Sequence, residues 1–156
     1  MSITQESAFE ASIERHLLEA GWGKVAPVGY DRKAGLFSDE VIKFVQASQP
    51  KAWAQLVTRH GGEESARQKF LKVVAEALDH RGVISVLRSP VKDTGVSVRL
   101  CFFRPASTLN DEQSQRYAAN RLGVIRQLHH SESHPMDSLD LTLVVNGIPV
   151  ATAELK

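Results

Sequence analysis

Near the end of the chain runs Leu139-Asp140-Leu141-Thr142-Leu143-Val144-Val145-Asn146-Gly147-Ile148-Pro149-Val150-Ala151-Thr152-Ala153-Glu154-Leu155-Lys156. Apolar residues alternate on both sides of Asn146-Gly147, a dipeptide that suits a tight hairpin turn, so the segment reads as two antiparallel strands. Three charged residues, Asp140, Glu154 and Lys156, interrupt the apolar pattern. Glu154 and Lys156 are two apart and share a face. Register decides whether Asp140 joins them. A two-residue turn pairs Val145 with Ile148, sets Asp140 beside Ala153 and turns it away from Glu154. A three-residue loop, Val145-Asn146-Gly147 with Gly147 as a G1 bulge, pairs Val144 with Ile148 and sets Asp140 diagonal to Glu154 on one face. The second register leaves Leu139, Leu141 and Leu143 on a wholly apolar face with Pro149, Ala151, Ala153 and Leu155. It is the expected one, with the three charges converging.

Two carboxylates sharing a site repel unless a cation lies between them. A hard divalent ion with oxygen ligands resolves this, and Mg²⁺ suits a site with few protein ligands. Lysine cannot ligate that ion, but it can orient a water or neutralise a phosphate. Such a set suits phosphodiester hydrolysis.

Upstream, Ser2 or Thr4 can cap a helix running from about Gln5 to Ala20, with Gly21 as its stop signal. Phe9, Ile13, Leu17 and Ala20 form its apolar stripe; Glu6 falls inside that stripe, Glu10 on its shoulder, and Glu14 points away. Glu6 there either pairs, with Arg15 or a backbone amide, or supports a site. The middle reads as helical: a start at Ser38-Asp39-Glu40, a second helix opened by Pro50, a break at Gly61-Gly62 and a third helix from Glu63 to His80. Val83 to Ser89 is ambiguous. From Val96 to Phe102 the period becomes two, which marks a strand; Asn110 caps a short helix, and Leu122 to Leu128 reads as a further strand.

The chain has 156 residues, 42% hydrophobic and 24% charged, as a folded domain should, which excludes a disordered tail. Nineteen basic against eighteen acidic residues leave +1, so bulk charge names no partner. Cys101 is the only cysteine, so neither an intrachain disulfide nor a cysteine zinc cage is possible, and a reducing, cytoplasmic setting is favoured. Neither a signal peptide nor a membrane span is legible.

Asp140, the strand-turn-strand and Glu154-Leu155-Lys156 resemble the D…(D/E)xK signature of the PD-(D/E)xK nucleases. The longer text Leu143 to Pro149, ending in Glu154-Leu155-Lys156, resembles the N-terminal nuclease domain of the restriction (motor) subunit of type I restriction enzymes. Glu6 and Glu10 ahead of Leu17, Gly21 and Trp22, and Asn120 and Gln127 on the strand before the hairpin, fit the same likeness. Leu139 stands where the family often has proline.

The resemblance implies an α/β fold of restriction-endonuclease type, with a curved, mostly antiparallel sheet and an N-terminal helix packed on it; the helical middle reads as an insertion from about 38 to 82. It implies Mg²⁺-dependent (or Mn²⁺-dependent) endonucleolytic hydrolysis of double-stranded DNA. Asp140, Glu154 and the Leu155 carbonyl would hold the metal. Lys156 would position water or stabilise the phosphate, Glu6 and Glu10 would assist, and Gln127 would support. It further implies that the nuclease core continues past Lys156, that ATP acts through a motor domain outside these residues, and that methylation and specificity subunits are partners. The rival reading is a non-catalytic DNA- or protein-docking module with a nuclease-like sheet.

Other features read as ordinary. His129-His130 fall on opposite faces of a strand. Lys92, Arg99 and Arg104 read as solvated charge, with DNA phosphates as their functional alternative. No recognition helix or pattern of stacking aromatics stands out.

Overall fold

Helix α1 (Ile3–Glu19) begins where capping chemistry puts it. Ser2 Oγ accepts from the Gln5 backbone at 3.4 Å, and Gln5 Oε1 accepts from the Ser2 backbone at 3.0 Å, a reciprocal box that satisfies two orphan donors. The computed structural model describes residues 2–155, as an α/β protein with a four-stranded mixed sheet and two small hairpins among those residues. The chain forms two units: its two ends, up to Phe37 and from Arg121, make one, and Ser38–Asn120 makes the other.

In the first unit, α1 is followed by β1 (Gly23–Lys24), a 3-10 turn at Pro27–Gly29, and a hairpin of β2 (Tyr30–Asp31) and β3 (Leu36–Phe37). The second unit holds α2 (Ser38–Ser48), α3 (Pro50–His60), α4 (Glu63–Arg81), α5 (Val83–Arg88), the hairpin β4 (Val91–Asp93) and β5 (Val96–Val98), and α6 (Asp111–Ala118). The chain then returns to the first unit with β6 (Leu122–His129), β7 (Ser138–Val145) and β8 (Ile148–Ala153). The sheet order is β1-β6-β7-β8, with β1 parallel to β6 and the other pairs antiparallel.

The second unit has its own core. Val41, Phe44 and Val45 from α2, Leu56 from α3, and Phe70 and Val74 from α4 are fully buried. Trp53 packs edge-on against Phe70 at 6.1 Å and donates its indole N–H to Glu63 at 2.8 Å. The inserted unit runs on to Asn120, beyond the expected end near 82, because the β4–β5 hairpin packs on α3 and α4. The strand expected from Val96 to Phe102 stops at Val98, where its three-residue partner ends. Beyond it, side chains take over the backbone bonds: Gln49 holds both backbone groups of Arg99, at 2.9 and 2.8 Å, and Asn120 those of Phe102, at 3.1 and 2.6 Å. Asn120 therefore lies in the second unit, not on the strand before the β7–β8 hairpin.

In the first unit the core is Phe37, Ile125, Leu128 and Val144, flanked by Val25 and Tyr30. Burial, and secondarily the Asp31 carboxylate, raises the Tyr30 phenol above its ordinary value, so Tyr30 packs on Phe37 as a neutral ring at 5.2 Å. Gly123 allows the close packing of β6: a Cβ there would sit 2.5 Å from Val25 Cγ2 and 2.7 Å from Val144 Cγ2.

The β7–β8 hairpin corrects the expected register. Asn146 and Gly147 both have positive φ, 53° and 83°, and form a two-residue turn that pairs Val145 with Ile148. Asn146 is fully buried, exchanges bonds with the Arg121 backbone at 2.7 and 2.8 Å, and thereby locks the tight turn that a three-residue loop would have lost. The bulge lies instead within β8. Val144 pairs with Pro149 and Leu143 with Ala151, so Val150 is the extra residue. This slip of one restores the parity that brings Asp140 level with Glu154 when the Leu141–Ala153 register is continued.

Gly123→Ala is expected to lower stability by about 1–3 kcal/mol through overpacking against Val25 and Val144. Asn146→Ala should cost about 1–2 kcal/mol, by removing the acceptor of the Arg121 backbone N–H and by placing at φ 53° a residue with less tolerance of the left-handed region than asparagine. Urea denaturation of each variant measures both; changes below about 0.5 kcal/mol would contradict these assignments.

Candidate functional site

The inward face of α1 is acidic. Glu10 and Glu14 are buried, at 3% and 7% exposure, Glu6 is half-buried, and Phe9, expected in the apolar stripe, is 47% exposed. Ile13 and Leu17 are half-buried and Ala20 is exposed. Buried carboxylates are tolerated only when paired, and the sheet supplies the partners. Arg126 on β6 donates to Glu10 at 3.2 Å and lies 3.6 Å from Glu14, and Lys24 on β1 lies 3.3 Å from Glu14. Glu14 thus points inward, contrary to the helical-wheel expectation, because two cations, Lys24 ten residues on and Arg126 on a distant strand, outweigh its polarity.

Gln127 ties this face to the hairpin. It has φ of 52°, in the left-handed region, inside a strand. That kink breaks the alternation of β6. Ile125 and Leu128 enter the same core cluster, and the adjacent Arg126 and Gln127 both reach Glu10. Ser138 donates to Gln127 Oε1 at 2.7 Å, so the amide Nε2 faces the carboxylates, donating to Glu10 at 2.7 Å and Asp140 at 3.2 Å. Backbone strain of this kind gathers at functional sites.

Asp140 completes the cluster. One carboxylate oxygen from each of Glu6, Glu10 and Asp140 lies within 4.8 Å of the other two. Asp140 Oδ2 also accepts the Leu155 backbone N–H at 2.6 Å, which fixes the end of β8 against β7. So the structure brings together Glu6, Glu10, Gln127 and Asp140, with Leu155 touching Asp140 through its N–H. Glu154 follows β8 one residue past its end and is exposed; the converging trio is Glu6, Glu10 and Asp140. Lys156 lies outside the described residues.

Chemically, the cluster offers hard oxygen donors only, which suits a divalent cation such as Mg²⁺ or Mn²⁺. Sequence reasoning missed Arg126, Glu14 and Lys24. An alternating strand would send Arg126 and Gln127 to opposite faces, and the kink that unites them has no glycine to signal it. Cys101, in the second unit, is half-buried and its thiol is raised by that burial, which disfavours the thiolate a nucleophile needs. No helix of the described residues is long and apolar enough to cross a membrane. Comparisons of the chain with family models, curated proteins and solved structures give no match.

Arg126→Ala should destabilise the protein by about 3 kcal/mol, since it leaves Glu10 and Glu14 buried without their shared cation. Adding Glu10→Gln should recover a substantial part of the loss. A double-mutant cycle read by urea denaturation tests this; strict additivity would show that the pair does not interact.

Proposed function

We propose that the chain carries a nuclease site of the PD-(D/E)xK type and hydrolyses phosphodiesters of double-stranded DNA with Mg²⁺. The observation that carries this reading is the meeting of Glu6, Glu10 and Asp140 within 4.8 Å, on a helix and a strand far apart in sequence, beside the hairpin that ends in Glu154-Leu155-Lys156. Asp140 with Glu6 or Glu10 would hold the ion; Glu154 and the Leu155 carbonyl, which the resemblance nominates as ligands, would approach from the end of β8. When bound, the ion would activate water and stabilise charge developing on the phosphate.

The protein groups have separate tasks. Gln127 donates to both Glu10 and Asp140, which holds their oxygens at fixed positions while Ser138 holds Gln127. Arg126 neutralises part of the acidic face, so the cluster need not be fully compensated by the cation alone. Lys156, two residues from Glu154, is suited to position the attacking water or to face the phosphate. The likeness of the hairpin extends the proposal to a type I restriction subunit. There, ATP would act through a motor domain, and methylation and specificity subunits would be partners.

Nicking of supercoiled plasmid tests the reading. The chain should cut with Mg²⁺ or Mn²⁺ and stop with EDTA. Asp140→Asn should reduce the rate at least about 100-fold, as loss of a metal ligand does. Absence of cutting by the wild type, or equal cutting by Asp140→Asn, would contradict it and favour a docking module.

A further inference from the structure

The Ser38–Asn120 unit carries a second polar feature, in two adjoining cavities of about 580 and 310 Å³. Arg99, Phe102 and Arg116 line both, so the two make one groove. Lys51 joins the larger cavity and Phe103 the smaller. Three cations line the larger cavity against a single carboxylate, Glu112, which accepts from Arg116 at 2.5 Å. The groove is therefore electropositive in a chain whose overall charge is near neutral.

Its walls are fixed. The Gln49 amide clamps both backbone groups of Arg99, and the Asn120 amide clamps those of Phe102. The Phe102 ring is held between Phe44, 5.9 Å away, and the Arg116 guanidinium, 5.8 Å from the ring centre. Next to it, Phe103 is 59% exposed, a large ring left in solvent by a segment whose backbone is pinned.

We propose that this groove binds a single strand of nucleic acid. Lys51, Arg99 and Arg116 would take successive phosphates, and the open face of Phe103 would stack an unpaired base. Charge complementarity selects a polyanion, and two connected cavities exceed what one nucleotide needs. The exposed ring selects unpaired bases, because a duplex hides base faces in its stack. The inference does not depend on the acidic cluster of the other unit and requires no metal.

Fluorescence anisotropy with a labelled twelve-residue oligothymidylate, in EDTA, tests it on the full chain. Binding should weaken steeply with salt. Lys51→Glu/Arg99→Glu should weaken it at least tenfold and lower the salt slope by about 1.4, the share of two phosphate contacts to a single strand. Phe103→Ala should weaken it about tenfold. All three side chains are exposed, and circular dichroism confirms that the variants fold. The proposal is overturned by absent binding, by variants that bind normally, by equal competition from duplex DNA or free thymidine monophosphate, or by loss of binding in Asp140→Asn, which would put the strand at the acidic cluster. A chain that binds the oligonucleotide but does not cut plasmid would leave this inference standing and remove only the nuclease reading.

Discussion

A carboxylate buried on the inner face of a helix must find a partner, and in this protein Glu10 organises everything around it. Glu10 is almost inaccessible on α1, and its partners are Arg126 and Gln127, neighbours on one strand. Neighbours on a regular strand face opposite ways. Both reach Glu10 only because Gln127 adopts a left-handed conformation. That conformation costs on the order of 1 kcal/mol or more for a non-glycine residue. What it secures is the docking of α1 on β6, the entry of Ile125 and Leu128 into one core, and a single amide donating to carboxylates from two elements.

The hairpin obeys a matching constraint. Its tight Asn146-Gly147 turn, buried and bonded to the Arg121 backbone, would by itself put Asp140 out of phase with Glu154. The extra residue Val150 in β8 corrects the phase. The irregularity in β6 turns both Arg126 and Gln127 to Glu10, and the one in β8 sets Glu154 level with Asp140. β-bulges re-aim side chains in this way beside functional sites. The acidic trio is a consequence of backbone geometry as much as of composition.

Much of this was legible in the chain. The helix starts at Ser38, Pro50 and Glu63, the Asn110 cap and the Asn146-Gly147 turn are local signals, and local chemistry produces them in the structure. Asp140, Glu6, Glu10 and Gln127 were recognisable as a group only through resemblance; periodicity alone put Glu10 on a shoulder and sent Glu14 outward. The misreadings share one cause. Helical wheels and strand alternation assume regular geometry and hydrophobic driving force, whereas Glu14 is drawn inward by Lys24 and Arg126, and the hairpin register is set by a bulge at a valine. Two-residue strands such as β1 and β2 are too short to carry a period at all. The groove of the second unit was invisible for another reason: Arg99 reads only as one exposed cation among several, and side-chain clamps on an irregular segment set it and Phe102 beside Arg116 of α6.

In the proposed function, Glu6, Glu10 and Asp140 form one cation site. Crystals soaked in Mn²⁺ and measured at an anomalous wavelength test it most directly. A peak is expected about 2.0–2.3 Å from oxygens of Asp140 and of Glu10 or Glu6. Density that shows the three carboxylates in place around Gln127, with no anomalous peak among them, would contradict it.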